Sequence, residues 1–415
     1  MKSRTWMWMT VVYVFVAMAI PVWTAAQDNQ ELKDKNPYTA QQGRSPYTGA
    51  ARPGIQNSAR AVDGSINDGN RDVRYTVTTI GVVPGKQSSF LPIAGSINNN
   101  GALAGYSYNG PFGGSNDFFL TAVAFTWEHG VLQPLPLLSG WPGAFAFGLN
   151  NNKLVVGNAN NVDNLGNIVQ TPVVWKQGRP IDLGIPAGYP RATARGMNDR
   201  GQVVGNALSY VTNGFAPFIW DKGQITQLPF PPGGVNGVAF RINDRGEIVG
   251  YVDFGSSPPP GTGEFHSVLW TPKGKNYLVR DLGGFEGYFE SAAYHINNGG
   301  QVVGFSDSAA GNIHAYLWTG GPLQDLGILP GGTISAANWN NQRGQIIGWG
   351  DRSDGNLVDF VWQNGIMTDL NDLVPAGTPL LGGLGPGGIN ERGEIADTAL
   401  MPDGSAVAFL LTPVH

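Results

Sequence analysis

Two histidines, His266 and His314, each stand four residues before a tryptophan, and four aspartates, Asp182, Asp281, Asp325 and Asp369, each precede a leucine. Imidazole and carboxylate are the groups of proton transfer and metal ligation. The spacing argues against both uses. The 5 histidines of the chain show no HExxH or other tight metal pattern, and the four aspartates fall in separate stretches, where capping a turn or facing solvent is the simpler role. The run Asp351-Arg352-Ser353-Asp354-Gly355-Asn356 gathers oxygens in a short loop. Asp351, Asp354 and Asn356 are therefore the one calcium option, although the run lacks both the Asp-x-Asp-x-Asp-Gly order and the closing Glu of an EF-hand loop. An ordinary Asp-Gly turn is the plainer expectation, and no cofactor is expected. Aromatic residues interleave with amides over residues 106–119, where Tyr106, Tyr108, Phe112 and Phe118 could stack on a sugar or a peptide. Phe254 and Phe265 flank a second such loop. The alternative is that these rings fold their loops back onto the body of the protein. No Gly-x-Ser-x-Gly elbow and no Walker loop is present.

What must position these residues is a repeat. An apolar residue, Asn, two turn residues, Gly and a short apolar strand return seven times, anchored at Asn98, Asn150, Asn198, Asn243, Asn297, Asn341 and Asn390. The spacing runs from 44 to 54 residues, the period of a β-propeller. Each unit carries strand signals of four types: one before the Asn, one after the turn, one ending in Trp (Trp127, Trp175, Trp220, Trp270, Trp318, Trp362, with Leu411 in the seventh place) and a fourth that often ends in Asp-Leu. A fourth-strand signal, residues 75–81, precedes the first Asn, and the last unit stops after a third strand. Joining the two closes the ring without a free edge. The sequence thus predicts an all-β, seven-bladed β-propeller of four-stranded antiparallel blades over residues 71–415, closed by the N-terminal strand. Alanine stands four residues before six of the seven asparagines, with Pro386 the exception, and an apolar residue stands just before six of them. This alternation predicts a first strand buried between blades. The repeated Trp residues are expected to pack between blades, with a carbohydrate platform as the alternative.

The chain has 415 residues, 61 of them Gly, no Cys, and a formal charge of −5. Scarce charge and abundant Gly suit a turn-rich β fold. No basic stripe stands out, so nucleic acid is not an expected partner. Lys2 and Arg4, an apolar run from Trp6, and Thr24-Ala25-Ala26 read as a signal peptide over residues 1–26, with an uncleaved anchor as the alternative. Residues 27–70 are too polar to bury a core and read as a disordered tether. After signal cleavage no membrane span is expected, and a monomer is.

The runs Ile296-Asn297 to Gly304, His314 to Trp318, and Asp325-Leu326-Gly327-Ile328-Leu329-Pro330-Gly331-Gly332 resemble the HAF family of extracellular repeat proteins, over about residues 75–415. That resemblance implies export and a repeat fold, and carries no catalytic residues. The order of the signals is also similar to kelch repeats, although the doubled Gly that closes the second kelch strand is single here. From the strand-two Gly to the Trp the units count 22, 18, 15, 20, 14 and 14 residues, so one face of the propeller has loops of varied length and the other uniform turns. Function sits on variable loops held by a rigid frame more often than on the frame itself. The expected function is therefore non-catalytic binding of a glycan or protein, in the cell envelope or outside the cell. The alternatives are a structural surface protein and a polysaccharide lyase or glycosidase with its acid and base in the central funnel. A glycosidase would need two carboxylates within about 10 Å. No pair stands out, though separate blades could supply one.

Overall fold

The computed structural model describes residues 74–414, except 93–94, 111–115, 209–213, 256–264, 286–289, 308–311, 380, 383–384 and 402. Phe112, the expected signal segment and the expected tether lie outside the described residues. Contacts divide the chain into two units, residues 73–161 with 169–415, which is the propeller, and residues 1–72 with 162–168. Of the second unit the structure describes 162–168, a turn in which Asp163 accepts from the Leu165 and Asn167 N–H groups.

Seven four-stranded antiparallel sheets make up the propeller. Blades 1 to 6 span residues 88–134, 143–182, 191–227, 236–283, 291–325 and 335–369. Blade 7 takes three strands, Gly388–Ile389, Ile395–Leu400 and Ala406–Val414, and its fourth is the N-terminal Arg74–Thr79, paired in register from Arg74↔Val414 to Thr79↔Phe409. The ring closes as the sequence predicts. Among the described residues a short α-helix, Asn116–Thr121, precedes the third strand of blade 1, a single 3-10 turn, Leu370–Asp372, follows blade 6, and no helix is long and apolar enough to cross a membrane.

The core lies between blades, and the tryptophans build much of it. Trp175 is 1% exposed and packs with Ala104, Ala124 and Leu135 of the blade before it. Trp270 packs with Val204, Ile219 and Leu228 in the same way. Their indoles donate to Pro136 O at 2.8 Å and Pro229 O at 2.7 Å, in the linkers leaving the preceding blades. The apolar bulk is thus buried while the one polar atom is satisfied.

The first strands depart from simple alternation. In blades 2 to 6 a β-bulge falls between the residues four and two before the Asn, such as Ala194/Gly196 and Ala293/His295. The extra residue (Phe147, Arg195, Phe240, Tyr294 or Asn338) bends the strand. The bulge explains the strand-two Gly. A Cβ at Gly157, Gly205, Gly250, Gly304 or Gly348 would lie 1.8–2.0 Å from the carbonyl oxygen of Phe145, Thr193, Val238, Ala292 or Ala336. No side chain fits there while the strands remain paired.

Candidate functional site

The seven asparagines form a closed hydrogen-bonded ring. Each Nδ2 donates to the backbone carbonyl of the next blade's Asn, from Asn98→Asn150 round to Asn390→Asn98, at 3.0–3.1 Å throughout. Each Oδ1 accepts from the N–H group four residues on, and in six of the seven also from the one two residues on, as Asn243 does from Arg245 and Glu247 at 3.0 Å. The Asn therefore shapes its own turn and staples it to the neighbour. The turn Gly beyond it has positive φ and a second purpose. Arg392, Arg200 and Arg245 each reach over the next blade's turn Gly, at Gly101, Gly246 and Gly300, where a Cβ would lie 2.2–2.7 Å from a guanidinium nitrogen.

One residue further on, a second ring rims the axis: Asn99, Asn151, Asp199, Asp244, Asn298, Gln342 and Glu391. Backbone N–H groups of this ring donate to side-chain oxygens of the next blade, as Asn151 does to Asp199 and Asp199 to Asp244, both at 2.8 Å. The rim presents oxygen acceptors with three carboxylates among them. Below it the residues preceding the asparagines (Ile97, Leu149, Met197, Ile242, Ile296 and Ile389) line an apolar belt interrupted by Asn340.

The position two before each Asn sets the floor. It reads Ser96, Gly148, Gly196, Arg241, His295, Trp339 and Gly388, so three large side chains from blades 4 to 6 face four small positions. The Trp339 ring stacks on His295 with centroids 3.6 Å apart and planes 27° apart. The Arg241 guanidinium lies 5.2 Å from the Trp339 ring centroid. Trp339 reaches over Gly95, where a Cβ would sit 2.6 Å from its ring, and Gly196 leaves room for Arg241 in the same manner. Burial pushes His295 down to about 3, so it is neutral at physiological pH, with Nδ1 lying 2.6 Å from Asn340 Oδ1. Burial, with Arg195 nearby, pushes Arg241 down to about 9, and it remains a cation at neutral pH. The result is a funnel of about 140 Å³ with a polar rim, an apolar wall and a floor that includes an aromatic ring.

The residues singled out from sequence lie elsewhere. Tyr106, Tyr108, Phe118 and Phe265 are at most 5% exposed. Tyr106 packs on Phe145 at 4.4 Å and Tyr108 on Phe118 at 4.8 Å, and Phe265 packs on Tyr251 and Phe305. These rings join the loops to the blades. Phe254 is half-buried against the His266 ring, 4.8 Å away. The calcium option divides in two: Asp351 accepts from Thr333 and Ile334 in the linker before blade 6, while Asp354 accepts from Asn356. The recurring aspartates do cap turns, with Asp182, Asp281 and Asp325 accepting from Gly184, Gly283 and Gly327. The sequence reading did not pair them with the histidines. His266 lies 2.8 Å from Asp281 and His314 lies 2.9 Å from Asp325, each within one blade and partly open to solvent.

A carboxyl pair is present, and it was legible as two breaks in the repeat. Asp397 stands where the other six blades have the strand-two Gly. Asp359 stands where the others have Ala, Pro or Ser, three residues before the Trp position. Blades 6 and 7 bring the two carboxyls close enough to interact, both fully buried. Burial, then mutual repulsion, holds Asp359 well above the carboxylate range, and burial raises Asp397. Like charges this close cannot both ionise, so the pair retains a proton.

No family model and no curated protein sequence matches this chain. Solved propellers do. The β-propeller domain of the Trilobed protease from Pyrococcus furiosus aligns at 11% identity over 63% of this chain and 79% of that one, with a TM-score of 0.43. An acylaminoacyl peptidase from Pyrococcus horikoshii aligns at 14% over 68% and 45%, TM-score 0.45. A lectin from Aleuria aurantia in complex with Fucalpha1-6GlcNAc aligns at 12% over 64% and 92%, TM-score 0.34. This chain spans under half of the acylaminoacyl peptidase. These likenesses concern the fold alone.

Proposed function

We propose that this protein is an exported, non-catalytic binding module whose axial funnel takes a glycan in the cell envelope or extracellular space. The observation that carries the reading is the funnel's layering of an acceptor-rich rim, an apolar wall and the Trp339 ring. Sugars are amphipathic in the matching sense, with hydroxyl donors at the edge of the ring and apolar C–H groups on its faces. Aromatic surfaces and a few fixed polar groups are what such sites provide. A protein partner fits the funnel less well, because a stable protein interface needs roughly 800 Å² from each side. The residues of the N-terminal 26 and the resemblance to the HAF family support export. A hydrolytic role at Asp359 and Asp397 would require blades 6 and 7 to part, since neither carboxyl reaches solvent.

The test is a glycan array probed with the full chain, followed by thermal shift with the hits. A ligand at 100 times its dissociation constant that binds only the folded state should add about 2.7 kcal/mol. Binding of one sugar class with a matching shift is the expected result. Absence of any glycan hit overturns the reading.

A further inference from the structure

We infer that the funnel accepts the terminal ring of a neutral glycan, end-on, and does not accept a ring within a chain. This inference rests on the glycan reading above and narrows it. Three observations carry it. The first is that the funnel is blind. Trp339, His295 and Arg241 close the axis from blades 4 to 6, and Trp339 extends across to Gly95 of blade 1. A glycan cannot thread through, and a ring substituted at both ends would have to leave by the path it entered. The second is size. About 140 Å³ is well below the roughly 300 Å³ at which sites for drug-sized ligands begin, which leaves room for one ring and not two. The third is charge. Asp199, Asp244 and Glu391 on the rim oppose an acidic sugar at the entrance, while Arg241, a cation at neutral pH, opposes an amino sugar bearing a free ammonium at the floor. A neutral polyhydroxylated ring meets neither penalty, and its hydroxyls can donate to the rim oxygens.

The rim also explains why an end-on ring would be held without new rearrangement. Asn151, Asp199, Asp244 and Asn298 are fixed by hydrogen bonds between blades at 2.6–2.8 Å. Each oxygen so engaged retains a second lone pair. Such preorganised acceptors lose little side-chain freedom on binding.

The experiment compares oligosaccharides of one neutral sugar, free at both ends or blocked at both by bulky substituents, by calorimetry on the full chain. A Met197→Trp variant, which places an indole in the wall of the funnel, is measured alongside. Its circular dichroism and melting temperature are checked against the native protein, and Leu149→Trp on the neighbouring blade is the second variant should the first fail to fold. The inference expects binding of the free-ended chain, at least a 30-fold loss on blocking, and a loss of similar size in the folded variant. Equal binding of free and blocked chains, sensitive to the variant, would overturn the end-on inference and leave the glycan reading standing. Binding unaffected by either variant would place the ligand elsewhere and overturn both. An acidic sugar bound in preference to its neutral analogue would overturn the charge argument.

Discussion

Replacing Asn243 tests the asparagine ring in isolation. The side chain is 3% exposed and makes four hydrogen bonds: Nδ2 to Asn297 O at 3.1 Å and to Glu247 Oε2 at 2.7 Å, and Oδ1 from the N–H groups of Arg245 and Glu247 at 3.0 Å. At about 1 kcal/mol net for each, Asn243→Ala should cost about 4 kcal/mol. The turn's own backbone bonds, Asn243 N to Glu247 O and Gly246 N to Asn243 O, survive the substitution, so the loss reports the side chain alone. Asn243→Asp sharpens the test. It keeps the shape and the Oδ1 acceptor, yet turns an oxygen toward Asn297 O and the Glu247 carboxylate, where only a donor is tolerated. Buried like charges are costly, so the isosteric change should destabilise at least as much as Ala at pH 7. The assay is urea unfolding followed by tryptophan fluorescence. An Asp variant as stable as the native protein, or an Ala variant within about 1 kcal/mol of it, would refute the ring as a source of stability.

Three further expectations concern the frame. Gly304→Ala forces a methyl to within 1.9 Å of Ala292 O and should cost about 3 kcal/mol or more, whereas Gly321→Ala, with open space around it, should be close to neutral; paired urea melts distinguish them. Trp175→Phe removes the bond to Pro136 O along with buried area, and should cost about 2 kcal/mol in the same assay. Asp359 and Asp397 both have folded values above the ordinary carboxylate value of 3.8, so between that value and neutrality the folded state binds more protons than the unfolded state. Stability from the pair is therefore fully present below about pH 4 and falls as pH rises toward 7. Asp397→Asn should raise stability at pH 8 while changing little at pH 4, as read from melting temperatures across pH. A variant destabilised at pH 8 would contradict the shared proton.

Most of the fold was legible because its determinants are local and repeated. Asn, turn Gly and Trp each recur at a fixed offset, and seven copies average out exceptions such as Lys153 in the second turn. The closure by residues 74–79 followed from counting strand types. The bulge was not legible. It inserts one residue into an otherwise alternating strand, and the alanines and isoleucines on either side of it still read as regular alternation. The strand-two Gly was its only trace. The central funnel was an expected site for a catalytic alternative, but its floor residues were not legible, for a different reason. The aromatic loops stand out in the sequence, yet Tyr106, Tyr108 and Phe265 are consumed in packing. The floor residues sit inside strands, where Arg241, His295 and Trp339 look like isolated irregularities. Aligning the repeats by position, and asking where one copy breaks the rule of the others, exposes both the floor and the Asp359–Asp397 pair. Departures from a repeat can mark sites because local consistency is what a stable array otherwise enforces.

The most direct measurement is calorimetric titration of the full chain with the strongest array hit, repeated on a folded Met197→Trp variant. The account expects saturable binding at one site per chain, lost at least 30-fold in the variant with an unchanged melting temperature. Equal affinity in the two proteins would contradict the claim that the axial funnel is where this protein binds.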